Sequence, residues 1–312
     1  MNPPPVKPPA KHLVIAGVTR AGTTSLFHYL GDHPGVQRST IKETRFFLES
    51  DELKRLHRYE EGLGAYAGFF PDCSADAVRL EATPDYFYCP AAPRRIAEML
   101  TEACIVVILR EPIARLISWR RYAIQNGLLD PDTTVADYIQ TQFDAESTGG
   151  KPPQHLRSLR EGRYAQYLVP WVEAFDRSRL IVRNYRDLLS NPAEVTRSIC
   201  AGVGIDPAFY DGYAFGIHNE SRRVRWPRLH AAYRSLIWRI KPHIHDKPAA
   251  RAALRALRRS TDTALGRRGG AVENTPDPGG ELTDPDRRRL EDYYRREPAD
   301  LARLLDLPGW EW

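Results

Sequence analysis

The segment Leu13-Val-Ile-Ala-Gly-Val-Thr-Arg-Ala-Gly-Thr-Thr-Ser25 joins an apolar run to a loop bounded by Gly17 and Gly22, which leads straight into Leu26-Phe-His-Tyr-Leu30. A buried strand that turns through glycine into a helix is the opening unit of an α/β fold; it predicts a strand over 12–17 and a helix over 22–31. The same unit makes an anion site, because turned-in backbone N–H groups and a helix N-terminus face the loop together. Gly17 and Gly22 have the G-x-x-x-x-G spacing of a phosphate-binding loop, but Thr23 stands where a nucleoside triphosphatase has its lysine. The residues read as holding a phosphate-like group are Arg20, Ala21, Gly22, Thr23, Thr24 and Ser25, with the charge on Arg20 and hydroxyl donors on the last three. Taken alone, the pattern also fits an ordinary glycine-containing strand–helix turn.

A second unit of the same kind begins at Cys104-Ile-Val-Val-Ile-Leu-Arg-Glu-Pro112 and continues into Ile113-Ala-Arg-Leu-Ile-Ser-Trp-Arg-Arg-Tyr122. Its β-branched run predicts a buried parallel strand over 104–109, and Pro112 opens a helix over 112–126. Arg110 falls at the strand's C-terminal end and Ser118 two turns into the helix. Ligands of open α/β sheets bind beyond the C-terminal strand ends, where a guanidinium and a hydroxyl suit one phosphate. The other reading pairs Arg110 with a structural carboxylate. Further along, the pattern predicts a strand over 78–82, helices over 91–101, 163–175 and 191–203, and a strand over Leu180–Arg183. A charged helical stretch lies near 51–61, and a last helix runs from Asp284 to Leu305. Residues 144–155 read as a mobile surface loop, 212–228 as irregular, 229–268 as helical and Arg-rich, and 269–283 as a Gly/Pro linker. The expected fold is α/β: a parallel sheet with helices on both faces, a loop of the P-loop kind, and C-terminal helices.

A length of 312 residues accommodates one large domain, expected over 12–312, with 228–312 mainly helical. Residues 1–11 form a Pro-rich tail, expected to be disordered and without the apolar core of a signal peptide. No 18-residue apolar run predicts a transmembrane helix. Cys73, Cys89, Cys104 and Cys200 have neither C-x-x-C nor metal-ribbon spacing and read as reduced thiols of a cytoplasmic protein. The pI near 9.0 favours anionic ligands, with no feature pointing to nucleic acid. Oligomeric state is not legible.

Together the two units resemble sulfotransferases that use 3′-phosphoadenosine 5′-phosphosulfate (PAPS). Gly17-Val-Thr-Arg-Ala-Gly-Thr23 resembles their 5′-phosphosulfate loop. Arg110-Glu-Pro112, with Ser118 eight residues after the arginine, resembles their 3′-phosphate motif. His33-Pro-Gly-Val36, Lys42-Glu-Thr-Arg-Phe-Phe47 and Glu81-Ala-Thr-Pro-Asp-Tyr-Phe87 are similar, in that order, to segments of the heparan-sulfate branch. Tyr164 to Trp171, Asn184-Tyr-Arg-Asp187 and Gly309-Trp310 fit as well, so the resemblance covers most of the chain apart from 228–280.

The resemblance implies in-line transfer of a sulfuryl group from PAPS to an acceptor hydroxyl, with positioning and electrostatics dominant and no metal needed. Glu43 matches the general base of that branch, with Phe46 and Phe47 expected to desolvate it and raise its pKa toward the working range. Arg20 replaces the loop lysine of the glycan enzymes: it keeps the charge but donates a proton poorly. Ala82 replaces a lysine before Thr-Pro, and Arg45 stands in compensation where the branch often has histidine. Arg45, Asp85 and His28 are candidate acceptor contacts, the last two also alternative bases. Arg222 and Arg223, in the basic run 218–225, resemble the late loop that closes over the nucleotide. The acceptor class stays open among sugar, lipid and secondary-metabolite hydroxyls. A small-molecule kinase of the P-loop kind and a non-catalytic binder of nucleotides or sulfated ligands are the competing readings.

Overall fold

The Val/Ile-rich runs assemble into one parallel sheet. The computed structural model describes residues 12–49, 58–74, 76–150, 152–216, 223–224, 266–267, 280–307 and 309–312. Strands β1 (His12–Gly17), β2 (Val36–Arg38), β3 (Val78–Ala82), β4 (Ala103–Leu109) and β5 (Leu180–Asn184) lie in the order β2-β3-β1-β4-β5. All neighbours are parallel; Ile15 of β1 pairs with Ala82 of β3, and Gly17 with Val107 of β4. Every residue of β4 is buried, as is β1 from Leu13 onward. This two-sided burial is why both read as continuous apolar runs rather than alternating ones. Because all five strands point the same way, the segments that follow them gather at one edge of the sheet.

The described residues form two compact units. The first draws on Met1–Glu111, Arg163–His218 and Arg296–Trp312, and the second on Pro112–Gly162 and Asn219–Arg295. The first holds the sheet together with α1 (Thr23–Gly31), α2 (Gly62–Ala67) and α3 (Ala92–Met99). The second opens with α4 (Pro112–Gln125) and α5 (Val135–Ser147). Helices α6 (Tyr164–Ala174), α7 (Tyr185–Ser190) and α8 (Pro192–Val203) return to the first unit. Helix α8 shows why the boundaries were readable. Asn191 accepts from Glu194 N at 3.2 Å, Pro192 takes the first turn, and Gly204 ends the helix in the left-handed region.

Some expectations are corrected. The stretch expected as a loop over 144–155 begins inside α5, which runs to Ser147. Thr134 caps that helix by accepting from Asp137 N at 3.0 Å, and Val135, Tyr138, Ile139 and Gln142 bury one face at helical spacing. The expected last helix is two, α9 (Asp284–Tyr294) in the second unit and α10 (Glu297–Leu305) in the first. Pro298 has no N–H to continue the first and instead fits the opening turn of the second. Within the stretches expected to be irregular and helical, β6 (Arg223–Val224) pairs antiparallel with β7 (Gly266–Arg267). The charged stretch near 51–61 ends in a 3-10 turn, Tyr59–Glu61, ahead of α2, and 51–57 lie outside the described residues. The tail 1–11, most of 229–268 and residues 268–279 also lie outside them. Among the described residues no helix is long and apolar enough to cross a membrane, and all four cysteines are free thiols.

Candidate active site

The loop after β1 is built for close approach. Arg20 and Gly22 both lie in the left-handed region, at φ 68° and 73°. Gly22 precedes α1 without a side-chain cap, and the first turn of α1 carries no acidic residue. Its opening N–H groups present a positive helix end that no acidic residue of the first turn offsets. A Cβ at Gly22 would stand 2.8 Å from the Tyr185 ring, so glycine meets both a conformational and a steric demand. A Cβ at Gly17 would stand 2.8 Å from that of Phe87, which shows how closely the turn after β3 packs on the start of the loop.

Arg110 leaves the end of β4 and crosses to this loop. Its Nη1 donates to the Arg20 carbonyl at 3.0 Å, its guanidinium lies 4.7 Å from the centroid of the Tyr185 ring, and its own carbonyl accepts from the Tyr164 hydroxyl at 2.6 Å. The planar fork leaves donors beyond the one spent on Arg20.

Residues 42–47 form a strap laid over the end of β3. Ala82 N–H donates to the Lys42 carbonyl at 3.0 Å, extending the sheet edge by one bond. Glu43 follows, with Lys42 Nζ 3.5 Å and Arg45 Nη2 3.1 Å from its carboxylate; the same Arg45 nitrogen is 3.8 Å from Asp85. The structure thus brings Glu43, Arg45 and Asp85 together and adds Lys42. The Glu43 side chain is 39% exposed. Phe46 and Phe47 turn into the core against Tyr59 and Tyr66, and Phe47 also against Tyr86; they anchor the strap. The expected upward pKa shift is corrected. Removal from water pushes Glu43 up, but Lys42 and Arg45 outweigh it and hold the carboxyl below its ordinary value. Desolvation pulls Lys42 down, against the pull of Glu43.

Beneath the strap lies a carboxylate that the residue pattern did not single out. Glu81 of β3 is fully buried and accepts from Thr44 Oγ1 at 2.7 Å, Thr83 Oγ1 at 3.0 Å, Tyr66 at 3.1 Å and Tyr86 at 3.2 Å. Burial pushes its pKa up to about 7, with the four hydroxyls opposing. The folded protein therefore binds this proton more tightly than the unfolded chain does. Its contribution to stability is complete below the ordinary value and is lost as pH rises through about 7. Chemical denaturation at pH 5.5 and 8 should show a falling unfolding free energy in the wild type and a flatter profile in Glu81→Gln. An equal slope in both would assign the titration elsewhere.

With this geometry in view, the comparisons with known proteins are specific. The model of the family described as "Sulfotransferase domain" matches residues 10–210. The chain belongs to this family. Among curated sulfotransferases, it is 29% identical over 206 residues to the bifunctional heparan sulfate N-deacetylase/N-sulfotransferase 1 of Caenorhabditis elegans, covering 64% of this chain and 23% of that protein. It is 28% identical over 239 residues to the heparan sulfate glucosamine 3-O-sulfotransferase 3B1 of Mus musculus, covering 77% of this chain and 55% of that one. It thus spans about a quarter of the length of the first and about half of the second. A sulfotransferase structure from Alicyclobacillus acidocaldarius superposes with a TM-score of 0.54 at 22% identity, covering 78% of this chain and 99% of that one, and shares the fold.

Four residues read from the sequence remain to be placed. His28 lies further along α1, with Nδ1 3.2 Å from Arg38 Nη1, and that same nitrogen is 3.3 Å from Asp32; the structure groups it with these rather than with Glu43. Ser118 is buried on α4, in the second unit. Arg223 lies in β6, of which the backbone is described, and Arg222 lies outside the described residues. Among the described residues no group of three or more His, Cys, Asp or Glu is arranged to hold a metal.

Proposed function

We propose that this sulfotransferase-family chain moves a sulfuryl group from PAPS to an acceptor hydroxyl. The observation that carries the reading is the placement, at one edge of a parallel sheet, of a left-handed loop opening an uncapped helix and of a strap bearing Glu43 between two cations. PAPS supplies the sulfuryl group on a phosphate leaving oxygen. The N–H groups of Ala21, Gly22 and Thr23, the hydroxyls of Thr23, Thr24 and Ser25, and Arg20 hold the 5′-phosphate and take up the charge left on that oxygen. Arg110 holds the 3′-phosphate. Glu43 takes the proton of the acceptor hydroxyl as its oxygen bonds to sulfur. Lys42 and Arg45 carry the positive charge that Ala82 lacks, and orient Glu43 while shielding it from the anionic donor. Glu43, already ionised at neutral pH, needs no prior deprotonation.

The relatives' action on heparan sulfate favours a glycan among the possible acceptors. The four free thiols suit a reducing compartment, and we assign the protein to the cytoplasm.

The test is titration calorimetry with 3′-phosphoadenosine 5′-phosphate and with ATP. Because Thr23 replaces the triphosphatase lysine, submillimolar or tighter binding of the first and at least about tenfold weaker binding of ATP is expected. Equal affinity for the two would favour the kinase reading; binding of neither would remove the nucleotide site.

A further inference from the structure

We propose that Glu81 is a positioning residue for the transfer: its buried carboxylate, acting through Thr44, Thr83 and Tyr86, sets the backbone of residues 43–47 and with it the placement of Glu43. This rests on the reading of Glu43 as the base. The connection is a relay repeated three times. Arg45 N donates to Thr83 Oγ1 at 3.2 Å, and that hydroxyl donates to Glu81. Phe46 N donates to Thr44 Oγ1 at 3.3 Å, and that hydroxyl donates to Glu81. Phe47 N donates to the Tyr86 hydroxyl at 3.4 Å, which again donates to Glu81. Three successive backbone N–H groups of the strap are thus satisfied through one carboxylate.

The direction of every bond requires an acceptor at the centre. A carboxylate accepts at both oxygens and donates at neither. A glutamine of the same shape turns two N–H donors toward hydroxyls that already donate, so at least one relay must reverse and release its strap N–H. The strap needs such restraint, because Arg45 sits in the left-handed region at φ 57°, which a side-chain-bearing residue adopts at a cost. Arg45 is also the residue whose guanidinium bridges Glu43 and Asp85. Release of residue 45 therefore displaces the carboxylate that faces the acceptor while leaving the loop after β1 unaltered.

Glu81→Gln, Thr44→Val and Thr44→Ser test this in the full chain at pH 8, where Glu81 is ionised. Thr44→Val breaks the shortest relay and spares the other three donors to Glu81, so it decides the matter if Glu81→Gln does not fold. Hydrogen exchange at the amides of 45–47 should speed up about tenfold in Glu81→Gln and Thr44→Val, with α1 and β4 unchanged and Thr44→Ser close to wild type. Unchanged exchange at 45–47 overturns the proposal. Turnover is followed as release of 3′-phosphoadenosine 5′-phosphate from PAPS, with desulfated heparan sulfate as acceptor probe. The expected result is a kcat lowered about 10- to 30-fold, with affinity for the released nucleotide within about threefold of wild type.

Glu43→Gln, made beside them, separates the two readings. If Glu81 acts through Glu43, adding Glu81→Gln to Glu43→Gln costs little more. A full additional loss in the double variant overturns the positioning role. So does wild-type turnover in both Glu81→Gln and Thr44→Val when Glu43→Gln is impaired. Full turnover in Glu43→Gln instead removes the base reading beneath it.

Discussion

Glu43→Gln should lower kcat by about 10²–10⁴-fold while the affinity for 3′-phosphoadenosine 5′-phosphate stays nearly unchanged. The two effects separate because Glu43 sits on the strap over β3 and not in the loop proposed to hold the nucleotide. The amide matches the carboxylate in size and still accepts from Arg45, so the Glu43–Arg45 contact at 3.1 Å keeps a hydrogen bond while losing its charge. With the carboxyl held below its ordinary value by Lys42 and Arg45, wild-type Glu43 stays ionised down to acid pH and its loss cannot be mimicked by mild acidification. The sign follows from the same shift. Its contribution to stability is present above the ordinary carboxylate value and fades as pH falls through the lower folded-state value. Steady-state kinetics with PAPS, alongside calorimetry with the product nucleotide, gives both numbers. Turnover near wild type in folded Glu43→Gln would move the base to Asp85, a second carboxylate 3.8 Å from Arg45, before His28, which the structure groups with Arg38.

What was legible in the chain follows from the range of the interactions that fix each part. The strand–loop–helix unit around Gly17 and Gly22 could be read because its determinants are consecutive: a doubly buried strand, the two glycines at positions that tolerate no Cβ, and the helix that starts at Thr23. Arg110 could be placed for the same reason, since a seven-residue strand buried throughout can end only where the charge begins. The Glu81 knot could not, because its donors come from Thr44 and Tyr66, distant in sequence, as well as from Thr83 and Tyr86. Its one local signal was a carboxylate in the apolar strand Val78-Arg-Leu-Glu-Ala82, costly unless several donors meet it. The direction of the Glu43 shift was not legible, because adjacent aromatics and adjacent cations act on a carboxyl in opposite senses and the chain alone does not say which of them meet it. The aromatics turned out to be core anchors, while Lys42 and Arg45 meet the carboxylate directly. The break in the last helix had a visible sign in Glu297-Pro298, where proline favours a first turn over an interior.

Arg110→Ala should cost about 2–4 kcal/mol of affinity for 3′-phosphoadenosine 5′-phosphate, roughly 30- to 1,000-fold. The structure divides that loss into two parts with different signatures. One part is the proposed charge-assisted contact to the 3′-phosphate, which vanishes for a nucleotide without that group. The other is support of the loop: Nη1 holds the Arg20 carbonyl at 3.0 Å, and the guanidinium covers the Tyr185 ring, which itself limits the space beside Gly22. Loss of this support weakens every ligand of the loop alike, by about 1 kcal/mol for the single bond. Arg110→Lys keeps the charge but not the planar fork or the stacking, so it should fall between the wild type and the alanine variant. Calorimetry with 3′-phosphoadenosine 5′-phosphate and with adenosine 5′-monophosphate measures the two parts as a cycle. The loss in Arg110→Ala should shrink to the loop-support part for the monophosphate. An equally large loss for both nucleotides would leave Arg110 as a strut of the loop, with the 3′-phosphate held by other residues.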